Sequence, residues 1–174
     1  MQLQDVNKDQ YLKLSRMVSI VLIICFASSA MISGQVLVHT MGNPEGGNFY
    51  LNLAGVIVGI LVTSLVFSFF RNDPRLTDLL YVFRLKRMLA RITNRMHHIK
   101  QLSQEEHETA WIILRFYYQG LLQVYHLESN EYGYKELEQE QDSFLASVPE
   151  HIKTQSLPDM QPELIESTAK LAGK

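Results

Sequence analysis

Two long apolar runs dominate the first 70 residues. Met17 to Val38 and Phe49 to Phe70 each hold 22 mostly apolar residues. Each run is long enough to cross the roughly 30 Å hydrocarbon layer of a bilayer as a helix. The ten residues between them, His39 to Asn48, carry no Lys or Arg. Gly42, Asn43, Pro44, Gly46 and Gly47 in that stretch permit a tight chain reversal. The pattern predicts a two-helix transmembrane hairpin with spans at about 17–38 and 49–70. A cleaved signal peptide would leave Ser28 and Ala30 around the cut, but the apolar pattern continues through Val36 and Val38. Acylation at Cys25 would need a small residue before it, and Ile24 is large.

Beyond residue 70 the pattern changes from continuous to periodic. Asp73-Pro74 reads as a helix start, with Asp able to cap and Pro suited to the first helical position. Leu79, Val82, Leu85, Leu89, Ile92, Met96 and Ile99 then recur at steps of three and four. Such a seam predicts one helix from Pro74 to Ile99, on the order of 39 Å long, as bundle core or as an intermolecular coiled coil. Ser103 with Glu106 reads as a capping box opening a second helix. That helix carries Ala110, Leu114, Tyr117, Leu121 and Val124 at seam spacing, widened by Trp111, Tyr118, Leu122 and Tyr125. The short link implies an antiparallel helical hairpin. Tyr134 to Val148 predicts one further helix, with Leu137, Phe144, Leu145 and Val148 facing in. Pro149, Pro158 and Pro162 interrupt the remaining chain, so residues 149–174 are expected to be a mobile tail with at most a short helix after Pro162. The expected fold class is all-α, with an N-terminal segment 1–16, the membrane hairpin 17–70, a helical domain 71–148 and the tail.

Charge sharpens this division. The formal net charge of -2 and the mean hydropathy of -0.03 both average unlike parts. Residues 71–100 hold eight bases (Arg71, Arg75, Arg84, Lys86, Arg87, Arg91, Arg95, Lys100) against Asp73 and Asp78. Residues 101–174 hold thirteen acids against five bases. Lys8, Lys13 and Arg16 precede the first span, Arg71 and Arg75 come directly after the second, and the turn carries only Glu45. The positive-inside rule places both termini in the cytoplasm. Neither span holds an Asp, Glu, Lys or Arg in its interior, which argues against a pump or transporter.

Two sets of residues stand out as contact surfaces. Gly55 and Gly59, with Thr63 a turn further on, let two helix backbones approach closely. They fit either packing against the small face of the first span (Ser29, Ser33, Ala30, Gly34) or a homodimer seam. Arg84, Arg87, Arg91 and Arg95 form a basic stripe away from the apolar seam. The stripe suits contact with anionic lipid headgroups or with a partner, and pairing with the acidic helices, with Glu105, Glu106 and Glu108 expected near Arg95 and Lys100.

Catalytic chemistry finds little support. His97, His98 and His107 are poorly placed as metal ligands, because adjacent helical histidines point about 100° apart. The acids from Glu136 to Asp142 read as a solvated face. The one cysteine, Cys25, excludes an intrachain disulfide. No cofactor is expected, and no nucleic-acid motif is present. An enzyme acting on interfacial lipid would need polar groups such as Asp73, Asp78 or Tyr81.

Met1-Gln-Leu-Gln-Asp-Val-Asn7, Tyr50-Leu-Asn-Leu-Ala-Gly55, Leu80-Tyr-Val-Phe-Arg-Leu-Lys86 and Phe116-Tyr-Tyr-Gln-Gly120 resemble the domain of unknown function 3087 family, over roughly residues 1–148. The resemblance implies a bacterial inner-membrane protein with two spans and a cytoplasmic helical part. It brings no activity. The functional expectation is a non-enzymatic membrane-anchored interaction or scaffold protein, with an accessory subunit of a membrane enzyme or transporter and an interfacial lipid enzyme as alternatives. Expected partners are the bilayer, a possible second copy, and a membrane or cytoplasmic protein.

Overall fold

The structure is a computed structural model and describes residues 1–171. It is all-α. The described residues form α1 (Lys8–Met41), α2 (Phe49–Phe70), a 3-10 turn (Pro74–Leu76), α3 (Thr77–Thr93), α4 (Met96–Gln104), α5 (Glu108–Leu127), α6 (Glu131–Ala146), α7 (Glu150–Thr154) and α8 (Pro162–Leu171). They divide into two compact units. One comprises Gln10–Leu80; the other comprises Met1–Asp9 with the chain from Tyr81 onward.

In the first unit, α1 and α2 pack directly on each other. Gly55 lies against Gly34, Gly59 against Ala30, and the Thr63 hydroxyl 3.9 Å from Cys25 Sγ. Numbers rise on α2 as they fall on α1, so the helices are antiparallel. Both are long and apolar enough to cross a membrane. The helix α1 is 34 residues long and begins well before Met17, which makes most of the N-terminal lead-in continuous with the first apolar run. Serines in α1 bond to the preceding turn: Ser29 Oγ lies 2.6 Å from Cys25 O, and Ser33 Oγ lies 2.6 Å from Ser29 O. This keeps the serine hydroxyls hydrogen-bonded within the helix itself. The turn is clasped by two asparagines. Asn48 Oδ1 accepts from Asn43 N at 2.8 Å, and Asn48 Nδ2 donates to Asn43 O at 3.1 Å. Gly46 (φ 102°) and Gly47 (φ 83°) take the left-handed conformations that reverse the chain.

The second unit is built around α5. Its Ala110, Ile113, Leu114, Phe116, Val124 and Leu127 are buried, with Trp111 and Tyr118 nearly so. α4, α6 and α7 pack on it, and α4 also meets α8. Gly120 lets α5 approach α3, where Leu85 and Leu89 close over it.

Four expectations need correction. The single helix from Pro74 to Ile99 is broken at Asn94–Arg95. Arg95 N bonds back only three residues to Ile92 O (2.9 Å), and α4 starts anew at Met96. Thr93 Oγ1 competes for a backbone carbonyl of the last turn, binding Leu89 O at 3.0 Å. The seam survives the break, since Ile92 and Ile99 are both fully buried. The capping box at Ser103 does not form either, because α4 runs through Ser103 to Gln104. Glu106 then adopts φ 61°, with His107 N bonded to Leu102 O (3.0 Å) and Glu106 N to Ser103 O (3.3 Å). This is a Schellman turn built without glycine. The end of α5 repeats it, with Ser129 at φ 58° and Asn130 N bonded to Tyr125 O.

The expected pairing of acids with Arg95 and Lys100 is absent among the described residues. Glu108 meets His151 (3.2 Å) and Glu105 meets Gln101 (3.1 Å). The turn after the broken helix presents these acids elsewhere. Finally, residues 149–168 of the expected mobile tail are packed. Ile152, Met160, Ile165 and Thr168 are buried, and Met160 N bonds to Met1 O at 2.9 Å. The three prolines divide this segment into two short helices without detaching it. Residues 172–174 of that expected tail lie outside the described residues.

Candidate functional site

Asp73 precedes the 3-10 turn Pro74–Leu76. Its carboxylate accepts from Arg75 N (2.9 Å) and caps the turn that leads into α3. Along α3, Tyr81, Val82, Leu85, Met88, Leu89 and Ile92 are buried. At about 100° per residue the exposed positions Phe83, Arg84, Arg87 and Arg91 then fall within an arc of roughly 100° on the other side. Arg95 comes at the start of α4 and is half-buried.

Arg84, Arg87, Arg91 and Arg95 have no carboxylate within ion-pair distance among the described residues. Lys86 and Lys153 both do. Arg87 instead stacks its guanidinium 5.2 Å from the centre of the Phe83 ring. Three of the arginines rim an open groove of about 340 Å³, with Tyr81, Met88, Gln4 and Pro162 among its other walls. A neighbouring groove is lined by Arg91, Arg95, Asn94 and His98 together with Pro162, Ile165 and the acidic Glu166. The arrangement offers several guanidinium donors to an anion: the walls of the first groove hold no carboxylate beside Arg84, Arg87 and Arg91, whereas Glu166 shares the second with Arg91 and Arg95.

Tyr81 forms the buried floor. Its hydroxyl accepts from Gln4 N (2.9 Å) and lies 3.0 Å from Gln123 Oε1, to which it donates. Gln123 Nε2 returns a bond to Gln4 O, so the N-terminal segment is tied to α3 and α5 by a closed ring of hydrogen bonds. Burial raises the Tyr81 pKa, and the hydrogen bonds to Gln4 and Gln123 offset only part of the rise. A neutral, fully engaged phenol suits a structural post better than a proton-transfer group.

Gly55, Gly59 and Thr63 sit at the α1–α2 contact. A Cβ on Gly55 would lie 2.6 Å from Gly34 Cα, and one on Gly59 would lie 2.8 Å from Ala30 Cβ. The backbones are therefore as close as small residues allow, which accounts for these residues without a second copy.

Sequence periodicity does not single out Arg115. It is buried in the middle of α5 and donates through one nitrogen to the carbonyls of Ile152 and of Gln155 (2.9 Å). Burial lowers its pKa from the usual guanidinium value. A lone charge inside Trp-Ile-Ile-Leu-Arg-Phe-Tyr-Tyr is the available signal, and its role is to cap α7 from within the core.

The elements that build this face lie within one family match that spans almost the whole chain. The family described as Protein of unknown function (DUF3087) matches residues 1–165. The chain belongs to that family. The match takes in most of the grooves' walls and extends through α7 into α8, beyond the segment that packs against Met1. No curated protein and no solved structure matches the chain. Membership in DUF3087 adds no activity to the arginine face, so its function rests on its chemistry.

Proposed function

We propose that this DUF3087 protein is a membrane-anchored interaction protein of the bacterial inner membrane. α1 and α2 are the anchor, both termini are cytoplasmic, and the helical unit presents its arginine face to a negatively charged partner. The supporting observation is the row of four arginines without an ion-pair partner among the described residues. Exposed guanidinium groups without an ion pair are open to an anionic ligand that satisfies several donors together. Arginines just beyond the second span also support the cytoplasmic assignment.

The test is in-cell crosslinking of the tagged full-length chain, then purification from membranes and mass spectrometry. Specific crosslinks from positions flanking Arg84 and Arg91 to lipid or to a second protein, lost in the Arg84→Gln/Arg87→Gln/Arg91→Gln variant, support the reading. Crosslinks unchanged by that variant contradict it.

A further inference from the structure

We infer that α3 lies on an anionic phospholipid surface, with the Phe83 ring inserted among the headgroups and Arg84, Arg87 and Arg91 bound to lipid phosphates. This rests on the proposed function and names the partner of the same face. Outside α1, α2 and the turn between them, Phe83 and Tyr132 are the large hydrophobic side chains left exposed among the described residues, at 57% and 84%. Tyr132 has a hydroxyl for water to bind and stands on α6 beside Glu131. Phe83 has no polar atom, yet it stands among cations rather than in the core.

One environment satisfies both kinds of group at once. The boundary between headgroups and acyl chains accepts an aromatic ring, while phosphates a few ångströms further out accept guanidinium donors. Arg87 is already stacked on the Phe83 ring, which holds its charge beside the ring instead of deep in water. An acidic protein would satisfy the arginines but would leave the isolated ring needing a second, matching pocket.

Tethering makes the contact easy to form. Six residues, 71–76, separate α2 from α3, and Phe83 is the seventh residue of α3. That chain reaches at most about 30 Å from the end of the second span. The face is thus held at high local concentration near any lipid around α2, and even weak contacts become populated.

The experiment uses the full-length chain in a Cys25→Ser background, reconstituted into vesicles. A nitrobenzoxadiazole dye is attached at Phe83→Cys, and in a second sample at Tyr132→Cys. Both sites are exposed, so labelling leaves the core intact. In vesicles of phosphatidylcholine with about one-third phosphatidylglycerol, an anionic surface of the kind basic segments bind, dye at position 83 is expected to be blue-shifted and several-fold brighter than at 132. It is also expected to be shielded from aqueous iodide. Pure phosphatidylcholine, or the added Arg84→Gln/Arg87→Gln/Arg91→Gln changes, should remove most of that difference. Equal iodide quenching at 83 and 132 in the anionic vesicles would overturn the inference. So would shielding that is the same in both lipids, because then phosphate recognition by the arginines is absent. Either failure leaves the crosslinking result for a protein partner standing on its own.

Discussion

Ile23 on α1 and Ile113 on α5 carry the same side chain on the same kind of helix. Ile23 is 65% exposed, whereas Ile113 is wholly buried. The contrast holds across the two units. On α1 and α2, Val21, Ile24, Ile32, Ile57, Leu61 and Leu65 all point outward, and the buried positions include Gly34, Gly55 and Gly59. In the helical unit most large residues are inside and most charges outside, with Phe83 and Tyr132 exposed and Arg115 buried as exceptions. The first arrangement suits a surrounding solvent that is itself apolar, where close backbone approach replaces the hydrophobic effect as the source of packing. The second is the arrangement of a domain folded by water.

The contrast is broken most forcefully by removing one large apolar side chain from each unit. Phe116→Ala empties a fully buried site and is expected to cost about 3–5 kcal/mol. Ile23→Ala removes an outward-facing side chain and should cost less than about 0.5 kcal/mol. Denaturation in detergent micelles measures both, with Trp111, the one tryptophan, reporting on the helical unit. Comparable losses at the two positions would mean that α1 is a buried core helix.

Gly55→Leu tests the packing specific to the first unit. Its new side chain meets backbone at 2.6 Å, so a loss of about 1–3 kcal/mol in hairpin stability is expected. The Trp111 transition should not move. A combined shift of both transitions would show that the units unfold together.

The smallest expected effect sharpens the chemistry of the helical unit. Tyr81→Phe removes the ring of bonds to Gln4 and Gln123 and should cost about 1 kcal/mol at neutral pH. Burial raises the folded-state pKa of Tyr81 and of Tyr118, the latter also through the charges of Glu140 and Tyr117. A raised folded pKa contributes stability that is fully present below the unfolded tyrosine value near 10.0 and is lost as pH climbs through the folded value. Helical-unit stability should therefore hold level to about pH 9 and fall above about pH 10, less steeply in Tyr81→Phe.

The apolar runs and the seam are legible in the sequence because each keeps a single period that chemistry enforces. The second apolar run reads Phe49 to Phe70 from the sequence, and α2 has those bounds. Val82, Leu85, Leu89, Ile92 and Ile99 read as core and are buried. Local competition is not legible. Nothing in the periodicity reveals that the helix breaks at Asn94–Arg95: the expected seam residue at the bend, Met96, is half-buried, but Ile92 before it and Ile99 after it are buried. The segment after Pro149 reads as a tail because prolines signal interruption, whereas its docking depends on Ile152, Met160 and Ile165 meeting surfaces far away in sequence. The arginine stripe is visible as a spacing. Its lack of partners is not, because pairing depends on where the turns at Glu106 and Ser129 direct the acids. Phe83 is visible only as an aromatic residue that falls off the seam; that it stands on the stripe emerges from the folded helix.

The most direct test of the account concerns topology. In the Cys25→Ser background, single cysteines at Glu45→Cys in the turn and Tyr132→Cys in the helical unit are challenged with a membrane-impermeant maleimide on intact cells. The account predicts labelling at 45 from outside, and labelling at 132 only after the inner membrane is opened. Labelling of both positions from the same side would contradict a spanning hairpin, and with it the anchored role proposed for the arginine face.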